Sequence, residues 1–228
     1  MDKSEYSTFK IKDMFDNIVE RYDFLNHTLS FYQDYYWRYR MTNELNPING
    51  KLIMDLAVGT GDSSIGIIKR GGRVIGVDLS YKMLSKAKKK FINKPFSSIQ
   101  ASVYELPFKD ECFDGLCCAF GIRNMHERNR ALKEIYRVLK RNSYAVFLEF
   151  SNPQGFIRPI YRFYLKYIMT NLASLFSKRS AYVYLRKSIE EFPLPEKFQD
   201  EILSSGFNGC EYYPLSFGTV YIHKAYKI

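Results

Sequence analysis

Two short stretches hold residues whose types and spacing could do chemistry. In MDLAVGTGDSS, residues 54–64, an apolar run ends in Ala57, Val58, Gly59, Thr60 and Gly61, and a helix-like run then begins. Gly59 and Gly61 can adopt backbone angles closed to other residues and let a ligand approach the main chain. A helix start adds free N–H groups and the positive end of a dipole. Asp78 ends the next apolar run, RVIGVD, where a carboxylate can accept hydrogen bonds from ribose hydroxyls. A dinucleotide fingerprint would need glycine at 57, 59 and 62, yet Ala57 and Asp62 stand at two of these positions. An aspartate at the helix start would also oppose a pyrophosphate. S-adenosyl-L-methionine carries no phosphate. Its ammonium suits an acid such as Asp55 or Asp62, and its carboxylate suits the loop N–H groups. The loop therefore favours the sulfonium cofactor, with Asp55, Gly59, Thr60, Gly61, Asp62 and Asp78 as candidate contacts. The plainer alternative is a tight turn with Asp62 as an N-cap.

The second stretch is AFGIRNMHE, residues 119–127, where Arg123 and Asn124 appear just as an apolar run leaves the core. Ligands of open parallel sheets lie beyond the carboxyl ends of the strands, which is where this pair falls. Arg123 could simply pair with a carboxylate at the loop surface, or it could stabilise developing negative charge or orient a water; it cannot act as a free base because a guanidinium stays protonated in proteins. His126 is a base by type, and a loop histidine is more often merely exposed.

These residues need a scaffold, and the periodicity supplies one. KLIMDLA, RVIGVDLS, SSIQAS, DGLCCAF and YAVFLEF read as strands. The segments DSSIGIIKR, YKMLSKAKKKF and RNRALKEIYRVLKR between them read as helices, the last with Leu132, Ile135, Tyr136 and Leu139 on one face. Strands joined by helical crossovers imply a parallel, doubly wound α/β sheet. Two closing strands, CEYYPLSF and TVYIHKAYKI, suggest an antiparallel hairpin. The first fifty residues look helical, with Phe15, Ile18, Val19, Tyr22, Leu25 and Leu29 spaced three and four apart.

The 228 residues suffice for one domain: an N-terminal helical cap (1–50), a cofactor core (51–151), a helical cap insertion (152–195) and a closing helix with hairpin (196–228). The formal charge is +10, and between 156 and 188 seven basic residues occur without one Asp or Glu, interleaved with Tyr and Phe. Such a stretch suits anionic lipid headgroups, or else packs as the aromatic core of two helices. The lysines of 86–90 read as a solvated surface. Cys112, Cys117, Cys118 and Cys210 form no C-x-x-C pair, so no metal site is expected and a reducing cytoplasm fits. The N-terminus lacks an apolar run, and no stretch is long enough to span a membrane.

Taken together, FDNIVERYDFLN, DLAVGTGD, FGIRN, LEFSNP, YVYLRKSIEEFP and IHKAYKI resemble the quinone-ring C-methyltransferases, a family of class I S-adenosylmethionine-dependent methyltransferases that act on demethylmenaquinone and ubiquinone precursors. The resemblance runs from about Phe15 to the C-terminus. It implies a Rossmann-like seven-stranded sheet of order 3-2-1-4-5-7-6. It also implies cofactor contacts from Thr60, from Asp78 on the ribose, and from Ser102 and Val103 beside the adenine. Arg123, Asn124 and Tyr22 would then line the ring pocket as catalytic candidates, with Glu149 near it. The implied acceptor is a small-molecule or lipid quinol. Some positions depart from the family pattern. Ala57 replaces a loop glycine, Ser102 stands where Asn or Asp is usual, Ala119 replaces a serine, and Lys187 replaces a glutamate. The usual Lys-Pro-Gly-Gly turn is KRNS, and Asn142 can still supply its left-handed angle.

Two other readings compete. An RNA methyltransferase would suit the basic charge, but no RNA-binding module is visible, so nucleic acid is disfavoured. A cofactor-binding protein without transfer activity would suit the departures at Ser102 and Ala119. A homodimer is left open.

Overall fold

The computed structural model of the chain describes residues 8–169 and 179–228. Lys178 and the stretch 170–178 of the expected cap lie outside the described residues. At the centre is a seven-stranded sheet in the order β3-β2-β1-β4-β5-β7-β6. Its strands are β1 (Leu52–Leu56), β2 (Arg73–Asp78), β3 (Phe96–Gln100), β4 (Gly115–Ala119), β5 (Ser143–Phe150), β6 (Gly209–Leu215) and β7 (Val220–Lys227). The first five pair in parallel, while β7 runs antiparallel to both β5 and β6. The hairpin is thus present, although a short 3-10 turn at Ser216–Gly218 joins its strands.

Parallel strands are covered on both faces, which is why they read as continuous apolar runs. All five residues of β4 are buried. Successive side chains of a strand point to opposite faces. Cys118 accordingly joins one core cluster with Met54, Leu56 and Phe147, and Cys117 joins the other with Ile53, Val146 and Trp37. The adjacent cysteines therefore pack as small hydrophobes on opposite sides.

The first cluster is closed by α6 (Arg128–Val138) and α9 (Pro195–Ser204). From α6 come Ala131, Leu132, Ile135 and Val138, each fully buried. Burying each of the larger side chains contributes about 1.5–3 kcal/mol. The second is closed by α3 (Gln33–Asn43), through Trp37 and Met41, and by α4 (Asp62–Lys69), through Ile67. Between β2 and β3 lies α5 (Tyr81–Lys90). The turn before β5 places Asn142 at φ +57°, as its sequence allows.

The N-terminal helix is broken. A 3-10 turn at Val19–Arg21 separates α1 (Thr8–Ile18) from α2 (Tyr22–Leu29). After β5 come α7 (Ile157–Phe163), a π-helical continuation at Tyr164–Met169, and α8 (Arg179–Glu191). The reading of these aromatics as a two-helix core holds in part: Tyr161 and Tyr164 pack against Leu25, Leu165 and Ile189, whereas Phe156, Phe163 and Tyr167 are exposed. Among the described residues no helix is long and apolar enough to cross a membrane.

Candidate active site

The chain leaves β1 through Ala57 at φ +53°, Gly59 at φ +54° and Gly61 at φ +89°. A side chain on Gly61 would meet the Phe91 ring at 2.5 Å, so both backbone angle and space demand glycine there. Gly61, not Asp62, is the N-cap of α4 and makes no side-chain cap. The N-cap expectation for Asp62 is therefore corrected. Asp62 is the first helical residue, and its carboxylate accepts from Lys90 Nζ at 2.6 Å. Lys86 Nζ donates to the Val19 carbonyl at 2.9 Å. Both lysines thus tie α5 to neighbouring elements rather than forming a merely solvated face.

Asp78 holds the loop from the next strand. Its Oδ2 accepts the Gly59 N–H at 2.9 Å and its Oδ1 the Ser80 N–H at 2.8 Å. Burial pushes this carboxyl up, and the backbone donors pull it back. Each oxygen keeps a lone pair for a further donor. A cavity of about 120 Å³ opens here between Ala57, Gly59, Val77, Asp78, Val103 and Gly121, and α1 lies across it through Ile11, Lys12 and Phe15. Gly121 is part of this cradle because an added Cβ would strike the Ala57 methyl at 2.6 Å. The residues suit S-adenosylmethionine: a carboxylate for ribose hydroxyls, aliphatic walls for an adenine, and backbone that a ligand can approach.

The other expected contacts are placed less directly. Val103 lines the cavity together with Ala101, while the Ser102 hydroxyl accepts the Tyr104 N–H at 3.3 Å. The Thr60 hydroxyl donates to Asp23 at 2.5 Å. Asp55 is buried beneath the loop and accepts from Ser64 Oγ at 2.7 Å. Burial pushes its carboxyl up to about 6, and the Ser64 hydrogen bond opposes this. The folded chain thus holds this proton more tightly than the unfolded chain does. The resulting stabilisation is full below about pH 4 and is lost as pH rises through about 6. Asp55→Asn should flatten this slope. Chemical denaturation at several pH values between 4 and 7 checks it, and parallel slopes for the two proteins would refute it.

A second, larger cavity of about 490 Å³ lies beside the first. Phe15, Tyr22 and Phe120 line both. Most of its wall is apolar, including Met14, Ile18, Leu25, Leu29, Leu165 and Ile189. Polar groups gather at the shared wall. Arg123 Nη1 donates to the Phe120 carbonyl at 2.6 Å, and the Arg38 guanidinium lies 5.3 Å from the Phe120 ring. Tyr22 is within the field of both cations, but burial outweighs them and raises its phenol above the usual value. It therefore stays protonated at neutral pH and can donate a hydrogen bond.

Arg123 is not a loop-surface charge. Its side chain is buried and its Nη1 contacts Glu149 Oε1 at 2.7 Å, while its backbone N–H donates to Glu149 Oε2 at 3.2 Å. Burial raises the Glu149 carboxyl, and Arg123 holds it down. Arg123 Nη2 takes no part in these contacts. Asn124 lines the smaller cavity and accepts from the Tyr184 hydroxyl at 2.9 Å. His126 is exposed.

Sequence reasoning missed Arg38 and a polar seam beside it. His27 Nδ1 lies 2.8 Å from Asp34 Oδ2, and its Nε2 lies 3.8 Å from Asp62 Oδ2. Arg38 stands one helical turn after Asp34, with Nε 3.9 Å from it. That i,i+4 acid–base spacing beside the lone tryptophan was the available signal. His27, Asp34 and Asp62 converge closely enough for a metal, but Arg38 and Lys90 already supply positive charge there.

The strand order, the glycine loop and the acid ending β2 together define the class I S-adenosylmethionine-dependent methyltransferase fold. Solved structures with this fold include a SAM-dependent methyltransferase of Thermotoga maritima (TM-score 0.69, 20% identity, 95% of this chain and 99% of that one). The [4+2]-cyclase SpnF aligns equally well (TM-score 0.69, 12% identity, 96% of each chain), so the fold alone does not fix the chemistry. Sequence is more specific. Residues 3–227 match the ubiE/COQ5 methyltransferase family, and the chain belongs to that family. It is 40% identical to the ubiquinone/menaquinone biosynthesis C-methyltransferase UbiE of Geotalea uraniireducens, over 93% of this chain and 95% of that protein. It is 36% identical to the demethylmenaquinone methyltransferase of Chlorobaculum tepidum, over 97% and 93%.

Proposed function

We propose that the protein methylates a ring carbon of a quinol-type acceptor, a demethylmenaquinol-like lipid, in menaquinone or ubiquinone biosynthesis. The observation that carries this reading is the large apolar cavity whose polar end shares Phe15, Tyr22 and Phe120 with the cofactor cavity. A ring at that shared wall would face the cofactor, and an apolar tail would fill the remainder.

S-adenosylmethionine, when bound, supplies an electrophilic methyl group. Asp78 would bind its ribose, Val103 with Ala101 would wall its adenine, and the Gly59–Gly61 loop, with Asp55, Thr60 and Asp62 around it, would receive its methionine end. The Ser102 hydroxyl would shape this wall by accepting the Tyr104 N–H rather than by meeting the adenine. Carbon methylation needs the proton of a ring hydroxyl to pass to a water, which pushes charge onto the neighbouring carbon, and that carbon's own proton to leave to water once it holds the methyl. Arg123 and Arg38 lower the cost of that negative charge, and protonated Tyr22 donates to the developing phenolate. Glu149 fixes the Arg123 fork from behind, and Tyr184 fixes Asn124. The apolar walls exclude water, which strengthens each of these interactions. A lipid acceptor also brings a cytoplasmic enzyme into peripheral contact with an anionic membrane.

The test is a transfer assay with labelled cofactor across hydroxylated aromatic acceptors, including a short-tailed demethylmenaquinol. Transfer to the quinol ring carbon is expected. Cofactor binding without transfer to any quinol would refute the reading, and transfer to RNA instead would favour the nucleic-acid alternative.

A further inference from the structure

Across α7 and its π-helical continuation, Phe156, Ile160, Phe163 and Tyr167 follow one another at spacings of four, three and four, so they form one stripe. The stripe faces solvent: these residues are 81%, 61%, 57% and 46% exposed. Four large side chains on a single exposed line are unlike the scattered apolar residues of an ordinary surface. Arg158, Arg162 and Lys166 alternate with them at spacings of four and are also exposed. Among the described residues none of these three makes an ion pair with a carboxylate. Residues 151–189 contain no Asp or Glu at all.

A second observation ties this face to the large cavity. Phe31 and Phe217 are exposed, line that cavity, and sit at φ +51° and +59°. Bulky residues rarely adopt such angles, so the fold holds two aromatic tips outward at some conformational cost. Ile160 of the stripe lines the same cavity. The rim of the cavity and the α7 stripe are therefore one apolar surface beside a row of cations.

We propose that this surface docks on an anionic phospholipid bilayer. Phe156, Phe163 and Tyr167 enter the headgroup–acyl boundary, Arg158, Arg162 and Lys166 rest on lipid phosphates, and the rim at Phe31, Ile160 and Phe217 opens the cavity onto the bilayer. An apolar stripe flanked by cations matches such an interface in both polarity and charge. The same stripe against a second copy would place like charges together along the symmetry axis, which disfavours that occupant. The inference rests on the lipid-acceptor reading only in saying why the cavity should open there. The docking itself does not depend on it.

Vesicle sedimentation of the intact chain tests this, without acceptor, on phosphatidylglycerol–phosphatidylcholine vesicles and on pure phosphatidylcholine. Binding to the anionic vesicles that weakens with salt is expected, with little binding to the neutral ones. Arg158→Gln/Arg162→Gln/Lys166→Gln should weaken anionic-vesicle binding roughly a hundredfold, and Phe156→Ser/Phe163→Ser should weaken it on the anionic vesicles at high salt as well as at low salt. Both variants change exposed residues only, so their melting temperatures and their turnover of a soluble short-tailed acceptor should match the parent. No sedimentation with anionic vesicles, or equal sedimentation of parent and variants, would overturn the proposal. So would a self-association, seen by sedimentation equilibrium, that the same substitutions abolish. Vesicle binding without quinol turnover would leave the docking surface standing and remove the acceptor reading; the reverse pattern would do the opposite.

Discussion

Arg123→Ala is expected to lower methyl transfer at least about a hundredfold, the usual effect of removing one preorganised donor from a site where charge develops. The same substitution should also destabilise the protein by about 3–5 kcal/mol, because it strands a buried carboxylate. Glu149 sits behind Arg123 at 2.7 Å with almost no solvent contact, so the single variant confuses two effects. The paired variant Arg123→Met/Glu149→Gln separates them. Both charges are removed together, so stability should return to within about 1–2 kcal/mol of the parent. Transfer should stay low. Thermal melts and a labelled-cofactor assay on both proteins give the answer. If the paired variant recovered transfer, Arg123 would be only the counter-ion of Glu149, and Arg38 would be the cation that matters.

Asp78→Ala should weaken cofactor binding roughly 10²- to 10³-fold, since each hydrogen bond to a charged acceptor is worth about 1.5–3 kcal/mol. The substitution also frees the Gly59 and Ser80 N–H groups that hold the loop. Asp78→Asn keeps an amide oxygen for one of these donors and should lose less. Titration calorimetry with S-adenosylmethionine ranks the three proteins. Unchanged affinity in Asp78→Ala would remove the ribose assignment, and loss equal in both variants would show that the charge, not loop support, is what matters.

Much of the sheet could be read directly, because its strands are buried on both faces and its crossover helices carry a clear 3.6-residue stripe, as in α6. Strand order could not be read that way. No periodicity says that β4 lies beside β1, and that expectation came from family resemblance. The site divides similarly. The glycine loop and Asp78 are local features with backbone reasons behind them. The Arg123–Glu149 pair joins positions 26 residues apart on different elements, and nothing in either stretch marks the other as its partner. Arg38, on α3, and His27, on α2, were hidden for a related reason: α3 mixes charge with aromatics all round, and only the tertiary arrangement brings both residues beside the glycine loop. Aromatic content could not sort the residues along α7, where Tyr161 packs inward and Phe163 faces solvent, because an aromatic facing solvent and one facing a core are the same letter. Ser102 shows a smaller limit, where the residue departs from the family's usual Asn or Asp and its side-chain contact runs to the neighbouring backbone.

The three side chains common to both cavities make the two binding events thermodynamically interdependent. A ligand on either side would pack on Phe15, Tyr22 and Phe120, which also wall the other cavity. Whatever factor the bound cofactor adds to acceptor affinity, the acceptor must return to the cofactor in equal measure. Because α1 carries Phe15 and spans the smaller cavity, displacing that helix for one ligand also redraws the other's wall. Exchange of spent cofactor and release of methylated product are then linked equilibria rather than independent departures.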